Sequence, residues 1–422
     1  MRSIAAFGAA LAAASAVSVI EPGSVGTARL SASHPVIAYI TAYRTSRLDR
    51  LNLRTGKLMS PLVVGKPPAE MAVAPDQRTA YVLSSYTTIS PVNLVTGRVG
   101  AAITPGRGRR GDVREIAFAA DGTFAYANVS GMLAVINPAA NRVVKRIALP
   151  GQGPLRLVVV PHGHTLVALR GSTTTLVSTT TNTVVARRRI WGVCALSTPV
   201  FSPDGRRMFV LTAGGVVAVD TATLALGRPV PAGSCLGDLV SGPGGTALYA
   251  SGVTGGRTIV GKILVSASGL SLDWATPVPR YPASILLAPG GVTLYVGSTL
   301  HRYVTPVSTA SGKAGPEIYA SLGADQLVVG RSGRYLFAAR FAFKATAVAV
   351  IDTGARRLVR VIHAGGTSLA GLVSSPDGSR VYAIVDTLRS RAGWLLPISA
   401  SDGRPGSRVG VTGQPAGIIS AR

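Results

Sequence analysis

Short apolar runs alternate with turn-forming residues along almost the whole chain. In the stretch that begins at Leu196, apolar runs cover 199–201, 208–211, 216–219 and 225–230, and Pro, Asp and Gly separate the first two. Runs of this length, bounded by turn residues, are typical of β-strands and too short for most helices. The stretch therefore predicts four short antiparallel strands.

The four-run pattern recurs nine times, with an aromatic or aliphatic residue at the same place in the second run. These marker residues are Tyr39, Tyr81, Tyr126, Val167, Phe209, Tyr249, Tyr295, Phe337 and Tyr382. Neighbouring markers lie 40 to 46 residues apart, close to the length of one propeller blade, roughly 40–45 residues. The repeat predicts an all-β fold, a single β-propeller of four-stranded antiparallel blades, about 7–9 in number with the repeat count favouring nine.

Two turns keep the phase of the repeat. The first is clearest as Ser202-Pro203-Asp204-Gly205 and Ser375-Pro376-Asp377-Gly378, where Pro presets φ, Asp bonds its own backbone and Gly accepts a positive φ. The second follows the third run and begins with a short polar residue whose side chain can close a turn. The nine residues at this second place are Asn52, Asn93, Asn137, Ser178, Asp220, Ser266, Ser308, Asp352 and Ser399.

These motifs resemble those of the YVTN-repeat, or YncE-like, β-propellers. The matching stretches include Ala38-Tyr39-Ile40-Thr41, Val350-Ile351-Asp352-Thr353 and the two Ser-Pro-Asp-Gly turns. The resemblance covers nearly all of the repeat region and implies an exported propeller, typically of about seven blades. Because the shared motifs are structural turns, the resemblance implies a fold and leaves the activity open.

The two ends of the repeat region suit ring closure. Val36–Ile40 matches a second strand, and Gly417–Ser420 matches a first strand, so we expect the termini to complete one composite blade and leave no free edge. Nine blades exceed the usual range of about 4–8. Either the ring is unusually large, or one degenerate copy is a decoration, and 266–285 is the weakest copy.

The N-terminal segment differs from the repeats. Arg2 precedes an apolar stretch from Ile4 to Ala16, which ends in Ala14-Ser15-Ala16. This order predicts a secretory signal peptide and short leader over 1–28, followed by the propeller over 29–422; an uncleaved anchor is the alternative. We therefore expect a secreted or periplasmic monomer with no transmembrane span in the mature chain.

The chain is strongly basic. It has 43 Lys and Arg against 17 Asp and Glu, a formal net charge of +26. Clusters occur at 107–110 and 187–189. Such a charge favours anionic partners, although the arginine-rich composition of a GC-rich genome would also produce it. Aromatic residues do not interleave the clusters, so sequence-specific nucleic-acid binding is not expected.

One repeat position is a candidate ligand site. Five residues before each first-turn proline or its equivalent, where the chain enters the first strand, the chain places Glu70, Glu115, Arg156, Thr198, Asp238, Ser284, Gln326 and Gly371. In a propeller this position faces the axial funnel. We predict that Glu70, Glu115, Arg156, Asp238 and Gln326 form a ligand-binding funnel ring for a cation or a basic ligand, with ordinary solvated connector residues as the alternative.

The two cysteines, Cys194 and Cys235, lie one repeat apart in equivalent connectors. In an exported protein this placement permits a disulfide between neighbouring blades, and two unpaired thiols are the alternative. No histidine stands at zinc spacing from them, and no phosphate-binding loop or catalytic-triad motif occurs. We therefore predict no metal and no cofactor.

Three functions are compatible with this pattern. The leading prediction is a non-enzymatic binding scaffold for a protein or an anionic cell-envelope polymer, because no catalytic constellation stands out. One alternative is a propeller enzyme, lactonase- or lyase-like, with its site at the axial funnel. A second is non-specific electrostatic binding of DNA or another anionic polymer, which would weaken steeply with salt.

Overall fold

The computed structural model describes residues 37–106, 113–151, 155–190, 192–193, 198–234, 237–254, 257–279, 282–341, 346–387 and 392–421, and in them nine antiparallel sheets form one ring. Seven sheets have four strands and two have three. The nine-bladed propeller predicted from the repeat is thus confirmed.

We number the blades in the order of the marker residues. Blade 1 contains β1 (Ile37–Tyr43), β2 (Arg47–Asn52) and β3 (Lys57–Val63). Blade 2 contains β4 (Pro68–Val73), β5 (Thr79–Ser84) and β6 (Thr88–Asn93). Blade 3 contains β7 (Val113–Phe118), β8 (Ala125–Val129), β9 (Met132–Asn137) and β10 (Arg142–Ala148). Blade 4 contains β11 (Leu155–Val159), β12 (Thr165–Arg170), β13 (Thr173–Ser178) and β14 (Thr183–Arg189). Blade 5 contains β15 (Val200–Phe201), β16 (Arg207–Thr212) and β17 (Gly215–Asp220). Blade 6 contains β18 (Leu239–Ser241), β19 (Ala247–Thr254), β20 (Arg257–Ser266) and β21 (Gly269–Pro277). Blade 7 contains β22 (Pro282–Leu287), β23 (Thr293–Ser298), β24 (Tyr303–Ser308) and β25 (Ile318–Tyr319). Blade 8 contains β26 (Gln326–Val329), β27 (Tyr335–Ala339), β28 (Ala347–Asp352) and β29 (Arg357–His363). Blade 9 contains β30 (Ser368–Ser374), β31 (Arg380–Thr387), β32 (Ala392–Ser399) and β33 (Val409–Thr412). The last strand, β34 (Gln414–Ala421), joins blade 1.

The first strands of the blades surround the axis. β4 contacts β7, β7 contacts β11, and β18, β22, β26 and β30 contact each other in the same order. The chain enters each first strand from one face of the ring, which we call the connector face. It turns into the second strand at the other face, which we call the turn face. The outermost strands, such as β10 and β14, run from the turn face to the connector face.

Ring closure follows the predicted composite blade. β34 pairs with β1 in antiparallel register from Ile37↔Ala421 to Tyr43↔Gln414. It also contacts β30 and β4, the first strands of blades 9 and 2. The first strand of blade 1 therefore comes from the end of the chain, and it closes the ring.

The degenerate copy at 266–285 is a full blade element, so its interpretation as a decoration is wrong. β21 pairs with β20 from Ser266↔Gly269 to Ile259↔Pro277. Its hydrophobic pattern is weak because most of β21 is only partly buried or exposed. An outermost strand has no further blade strand to cover it, so its burial pattern is weaker than that of an inner strand.

The predicted outer strand over 225–230 is shorter than expected. Here the chain makes only isolated bridges, Val219↔Leu226 and Val216↔Val230. Pro229 and Pro231 lack the N–H that a continuous ladder needs. Blade 5 therefore has three regular strands and a bridged fourth segment.

The hydrophobic core lies between neighbouring blades, and the aromatic marker residues are among its largest buried side chains. Tyr126 is fully buried, and its hydroxyl donates to Asn182 Oδ1 of the next blade at 2.6 Å. Tyr39 likewise donates to the Leu94 carbonyl of the next blade at 3.4 Å. The marker side chains thus fill the interfaces between blades, and those of Tyr126 and Tyr39 also link two blades by a hydrogen bond.

Both predicted turns form. Gly205 has φ +69°, and a Cβ there would lie 2.5 Å from the Pro161 carbonyl oxygen of the preceding blade, so only glycine fits without strain. In the second turn, seven of the nine polar side chains accept a backbone N–H two or three residues ahead; these are Asn52, Asn93, Asn137, Ser178, Asp220, Ser308 and Asp352. Ser266 instead donates to the Gly269 carbonyl, because β20 and β21 meet there in a tighter hairpin. Ser399 bonds the Asp402 carboxylate.

The described part of the chain contains a single helical turn, Pro243–Gly245. In that part there is no helix long and apolar enough to cross a membrane. The predicted signal peptide over 1–28 lies outside the described residues.

Candidate functional site

The predicted funnel ring lies where the first strands begin, next to a recurring irregularity. The pairing of first and second strands shifts between Pro68 and Glu70, and equivalent shifts precede Ser284 and Gly371. A bulge of this kind bends the strand and changes the direction of the following side chain. At Glu70 this bulge accompanies a side chain that reaches the first strand of the next blade.

Four ring side chains bond the next blade in the same way. Glu115 Oε2 accepts the Leu157 N–H at 2.9 Å, and Glu70 accepts the Ile116 N–H. The partner is in each case the residue just after the ring position of the next blade. The bond therefore recurs with the phase of the repeat.

Asp238 and Gln326 continue the pattern on the other side of the ring. Asp238 Oδ2 accepts the Ile285 N–H at 3.4 Å. Gln326 makes two bonds to Leu372: its Oε1 accepts the N–H at 2.7 Å and its Nε2 donates to the carbonyl at 3.0 Å. These side chains link neighbouring first strands, a structural role that the sequence analysis did not predict.

Three of the five predicted residues come together. Glu70, Glu115 and Arg156 occupy equivalent positions on the first strands of blades 2, 3 and 4, and all three side chains are half-buried. Asp238 and Gln326 lie on blades 6 and 8, where each bonds the first strand of the following blade. The structure thus forms one charged group of three and two separate links.

Burial controls the ionisation of this group. The pKa of Glu70 is raised to about 8, chiefly because the side chain is buried and next because the Glu115 carboxylate lies near; the Ile116 N–H and Arg156 act in the opposite direction. Burial likewise raises the pKa of Glu115 to about 7, against the lowering effect of Arg156 and the Leu157 N–H. Burial also raises the pKa of Asp238. The pair Glu70 and Glu115 can therefore hold a proton near neutral pH.

Acids outside the ring position form further links that the repeat phase did not reveal. Asp49, which is only 4% exposed, accepts the Thr412 N–H at 2.6 Å and the Thr412 hydroxyl at 2.9 Å. Asp325 Oδ2 accepts the Phe341 N–H at 2.7 Å. The adjacency of Asp325 to Gln326 is the only sequence signal that could have indicated its place near the connector face.

Almost every described acid bonds the backbone. The carboxylates that accept a backbone N–H are those of Asp49, Glu70, Asp76, Glu115, Asp121, Asp204, Asp220, Asp238, Asp325, Asp352, Asp377, Asp386 and Asp402. Among the described acids only Asp273 and Glu317 are outside this set, and Asp273 pairs with Lys262 Nζ at 2.9 Å. The few acids of the chain are thus used to build turns and blade links.

The described histidines do not join the ring acids. His162 and His164 lie in the first turn of blade 4 at the turn face, where His164 Nδ1 is 3.9 Å from Asp121 Oδ2. His301 follows the second strand of blade 7, and His363 ends β29. In the described ranges there is no group of three His, Cys, Asp or Glu side chains that could hold a metal ion.

The disulfide and the ligand-binding role of the funnel ring remain predictions. Cys194 and Cys235 lie outside the described residues, so the disulfide stays a prediction. The ligand-binding role of the funnel ring also stays a prediction, since the blade links account for the positions of Glu70, Glu115, Asp238 and Gln326 without a ligand.

No family model and no curated protein matches the chain. Solved structures do match. The dihydro-heme d1 dehydrogenase NirN, in complex with DHE, is 15% identical and covers 93% of this chain and 77% of its own, with a TM-score of 0.60. Apo AztD from Citrobacter koseri is 11% identical over 92% of this chain and 97% of its own, with a TM-score of 0.53. BamB from Moraxella catarrhalis is 14% identical and covers 74% of this chain and 93% of its own, with a TM-score of 0.52. At these identities the likeness establishes the β-propeller fold of this chain and carries nothing about its function.

Proposed function

We propose that this protein is an exported, non-catalytic binding propeller whose partner in the cell envelope is anionic. The observation that carries the proposal is the use of the acids: all but two described carboxylates accept a backbone N–H. Some arginines also bond backbone carbonyls of a neighbouring blade, as Arg170 and Arg380 do, but the basic side chains outnumber the acids 43 to 17.

The described ion pairs support the same proposal. Lys262 pairs with Asp273, Arg334 with Asp352 at 4.0 Å, and Arg404 with Asp402 at 3.9 Å. In the last two pairs the acid is already engaged in a turn. These pairs engage three basic side chains, and the chain has 43 of them against 17 acids, so we expect the surface to keep a positive field that attracts anions.

The enzyme alternative has less support. A lactonase- or lyase-like site at the funnel would need a general base or acid near a substrate-binding position. The described ring acids are engaged with the next blade, and no described histidine joins them. The enzyme among the structural neighbours shares only the fold.

Export is the part of the proposal that depends on the N-terminal segment. Arg2, the apolar stretch and the Ala-Ser-Ala end are the features that support it. Fractionation of cells expressing the full chain, with mass spectrometry of the mature N-terminus, tests it. Recovery of the intact chain only in the cytoplasm would contradict export.

The binding proposal is tested by titrating the purified protein with four polymers. These are polygalacturonate, a glycerol-phosphate teichoic acid, duplex DNA and neutral dextran, measured by calorimetry between about 50 and 200 mM salt. We expect both acidic glycopolymers to bind, the affinity to fall steeply with salt because counterions are released, and dextran not to bind. Absence of polyanion binding at low salt, or binding indifferent to salt, would overturn the proposal.

A further inference from the structure

The outer edges of blades 3 and 4 carry a dense group of basic side chains. We define the arginine edge as Lys145 and Arg146 on β10 with Arg187, Arg188 and Arg189 on β14. All five side chains are exposed. β10 and β14 are the outermost strands of adjacent blades, and the arginines lie toward their ends at the connector face.

The two strands are tied together at this place. Arg187 Nη2 donates to the Ala148 carbonyl at the end of β10, at 3.0 Å. From blade 4, Arg170 also reaches blade 3, where its Nη1 donates to the Gly131 and Leu149 carbonyls at 3.2 and 2.6 Å. The basic groups of both blades thus belong to one continuous surface.

The hydrogen-bond partners orient the guanidinium groups without neutralising them. Arg146 Nη2 donates to the Pro105 carbonyl at 3.1 Å, and Arg187 Nη2 donates to the Ala148 carbonyl at 3.0 Å. Carbonyl oxygens are uncharged acceptors. Each guanidinium has five N–H donors, so one bond to the protein leaves donors for a ligand.

Acids are scarce around this surface. Between residues 113 and 190 the sequence contains only Glu115 and Asp121 as acids. Glu115 bonds Leu157 at the first strands, and Asp121 bonds Thr123 in a turn at the opposite face. Among the described residues, no carboxylate forms an ion pair with Lys145, Arg146, Arg187 or Arg188.

Protection of an open strand edge is a simpler explanation of charges on β14. Edge protection does not account for three consecutive arginines, because β29, the outermost strand of blade 8, has only Arg357 and Arg360 before its final histidine. Three consecutive arginines on β14 project to both faces of the strand, since side chains alternate. The arginine edge thus presents charge across the rim instead of along one line.

The chemistry of the surface suits a linear anionic glycopolymer. Guanidinium forks pair with carboxylate and phosphate oxygens, and the three consecutive arginines of β14, together with Lys145 and Arg146 on the adjacent blade, can meet several repeating anions. Neither β10 nor β14 contains an aromatic residue, so these two strands offer no platform for stacking of bases. Building on the proposed function, we propose that the arginine edge binds an acidic glycopolymer with carboxylate or phosphodiester groups.

The experiment compares two double variants of the full chain that remove equal charge. R187Q/R188Q alters the arginine edge, and R357Q/R360Q alters the equivalent strand of blade 8, where Asp402 lies near Arg360. A third variant, R187K/R188K, keeps the charge. Binding of polygalacturonate and of teichoic acid is measured at about 50 mM salt, with the salt slope and the melting temperature.

We expect R187Q/R188Q to lose about tenfold or more in affinity and to reduce the salt slope by about two, because two guanidinium contacts are lost. R357Q/R360Q should change the affinity less than about twofold, and R187K/R188K should retain most of it. Melting temperatures unchanged among the variants would locate the effect in binding.

Different failures are distinguishable. If the wild type binds but R187Q/R188Q matches it, or if both double Gln variants lose equally, the arginine edge is not the site while the proposed function stands. If the wild type binds no polyanion, the proposed function itself fails. Tighter binding of duplex DNA that R187Q/R188Q weakens to the same degree would overturn the glycopolymer as the occupant.

Discussion

The marker tyrosines differ in what their hydroxyl groups meet. Tyr126 and Tyr81 are equally buried at equivalent positions of blades 3 and 2. The Tyr126 hydroxyl donates to Asn182, whereas the Tyr81 hydroxyl has no hydrogen-bond partner among the described residues. Burial raises the pKa of Tyr81 to about 12, so the hydroxyl stays protonated. One repeat position thus offers a test of what a single hydrogen bond contributes.

We predict that Tyr126→Phe lowers the free energy of unfolding by about 1–3 kcal/mol, because Asn182 Oδ1 loses its partner in a buried place. Tyr81→Phe is the matched control: it removes an unpaired buried hydroxyl, so we expect no loss, or a small gain. Denaturant unfolding of both variants checks this. Equal destabilisation of the two would mean that the loss comes from packing and not from the hydrogen bond.

The links between first strands are the main determinants at the scale of the element. Each of the four linking side chains bonds a residue about one repeat further on, 42 residues from Glu115 to Leu157 and 46 from Gln326 to Leu372. Because successive links share the first strands, a change of ionisation at Glu70 affects blades 2 and 3, and one at Glu115 affects blades 3 and 4. Proton binding at this pair is therefore coupled to the packing of three blades.

We predict that the protein becomes less stable as the pH rises from about 5 to about 8. The folded pKa values of Glu70 and Glu115, about 8 and about 7, exceed the ordinary value of 4.5. The folded state consequently holds more protons than the unfolded state in this window, and the stability contributed by the protonated carboxyls is lost as the pH rises through the folded pKa. Each proton contributes at most about 1.4 kcal/mol per pH unit.

The double variant E70Q/E115Q tests the assignment, because amides keep a hydrogen-bond acceptor and do not titrate. We expect a flatter dependence of unfolding free energy on pH than in the wild type, measured by denaturant unfolding at each pH. Gln326 shows that an amide makes this link in the native chain. An unchanged slope in the variant would remove the pair as the source of the pH dependence.

The sequence predicted elements better than it predicted contacts. The turns around Asp204 and Asp220 formed as expected because their geometry depends on neighbouring residues. The fourth segment of blade 5 was predicted as a strand but forms only isolated bridges, because Pro229 has no N–H for a continuous ladder. The links of Glu115 and Asp238 were not predicted because they depend on packing between blades, which local patterns do not encode.

At the scale of the whole molecule, the ring depends on a strand contributed from the far end of the chain. β34 supplies the first strand of blade 1 and touches the first strands of blades 9 and 2. The Asp49 carboxylate adds a second tie, because it bonds Thr412 just before β34. Blade 1 is therefore complete only when the two ends of the repeat region are paired.

We predict that a chain lacking residues 414–422 loses cooperative unfolding and associates. The deletion leaves the β1 edge unpaired, and an open edge recruits strands from other molecules. Calorimetry should show a broader transition at lower temperature, and gel filtration should show oligomers. A synthetic peptide of residues 414–422 added in trans should restore the monomer and raise the transition temperature, since it re-forms the register from Ile37↔Ala421 to Tyr43↔Gln414, whereas a scrambled peptide should not. A truncated chain that stays monomeric and melts like the full chain would show that the remaining eight blades hold the ring without the clasp.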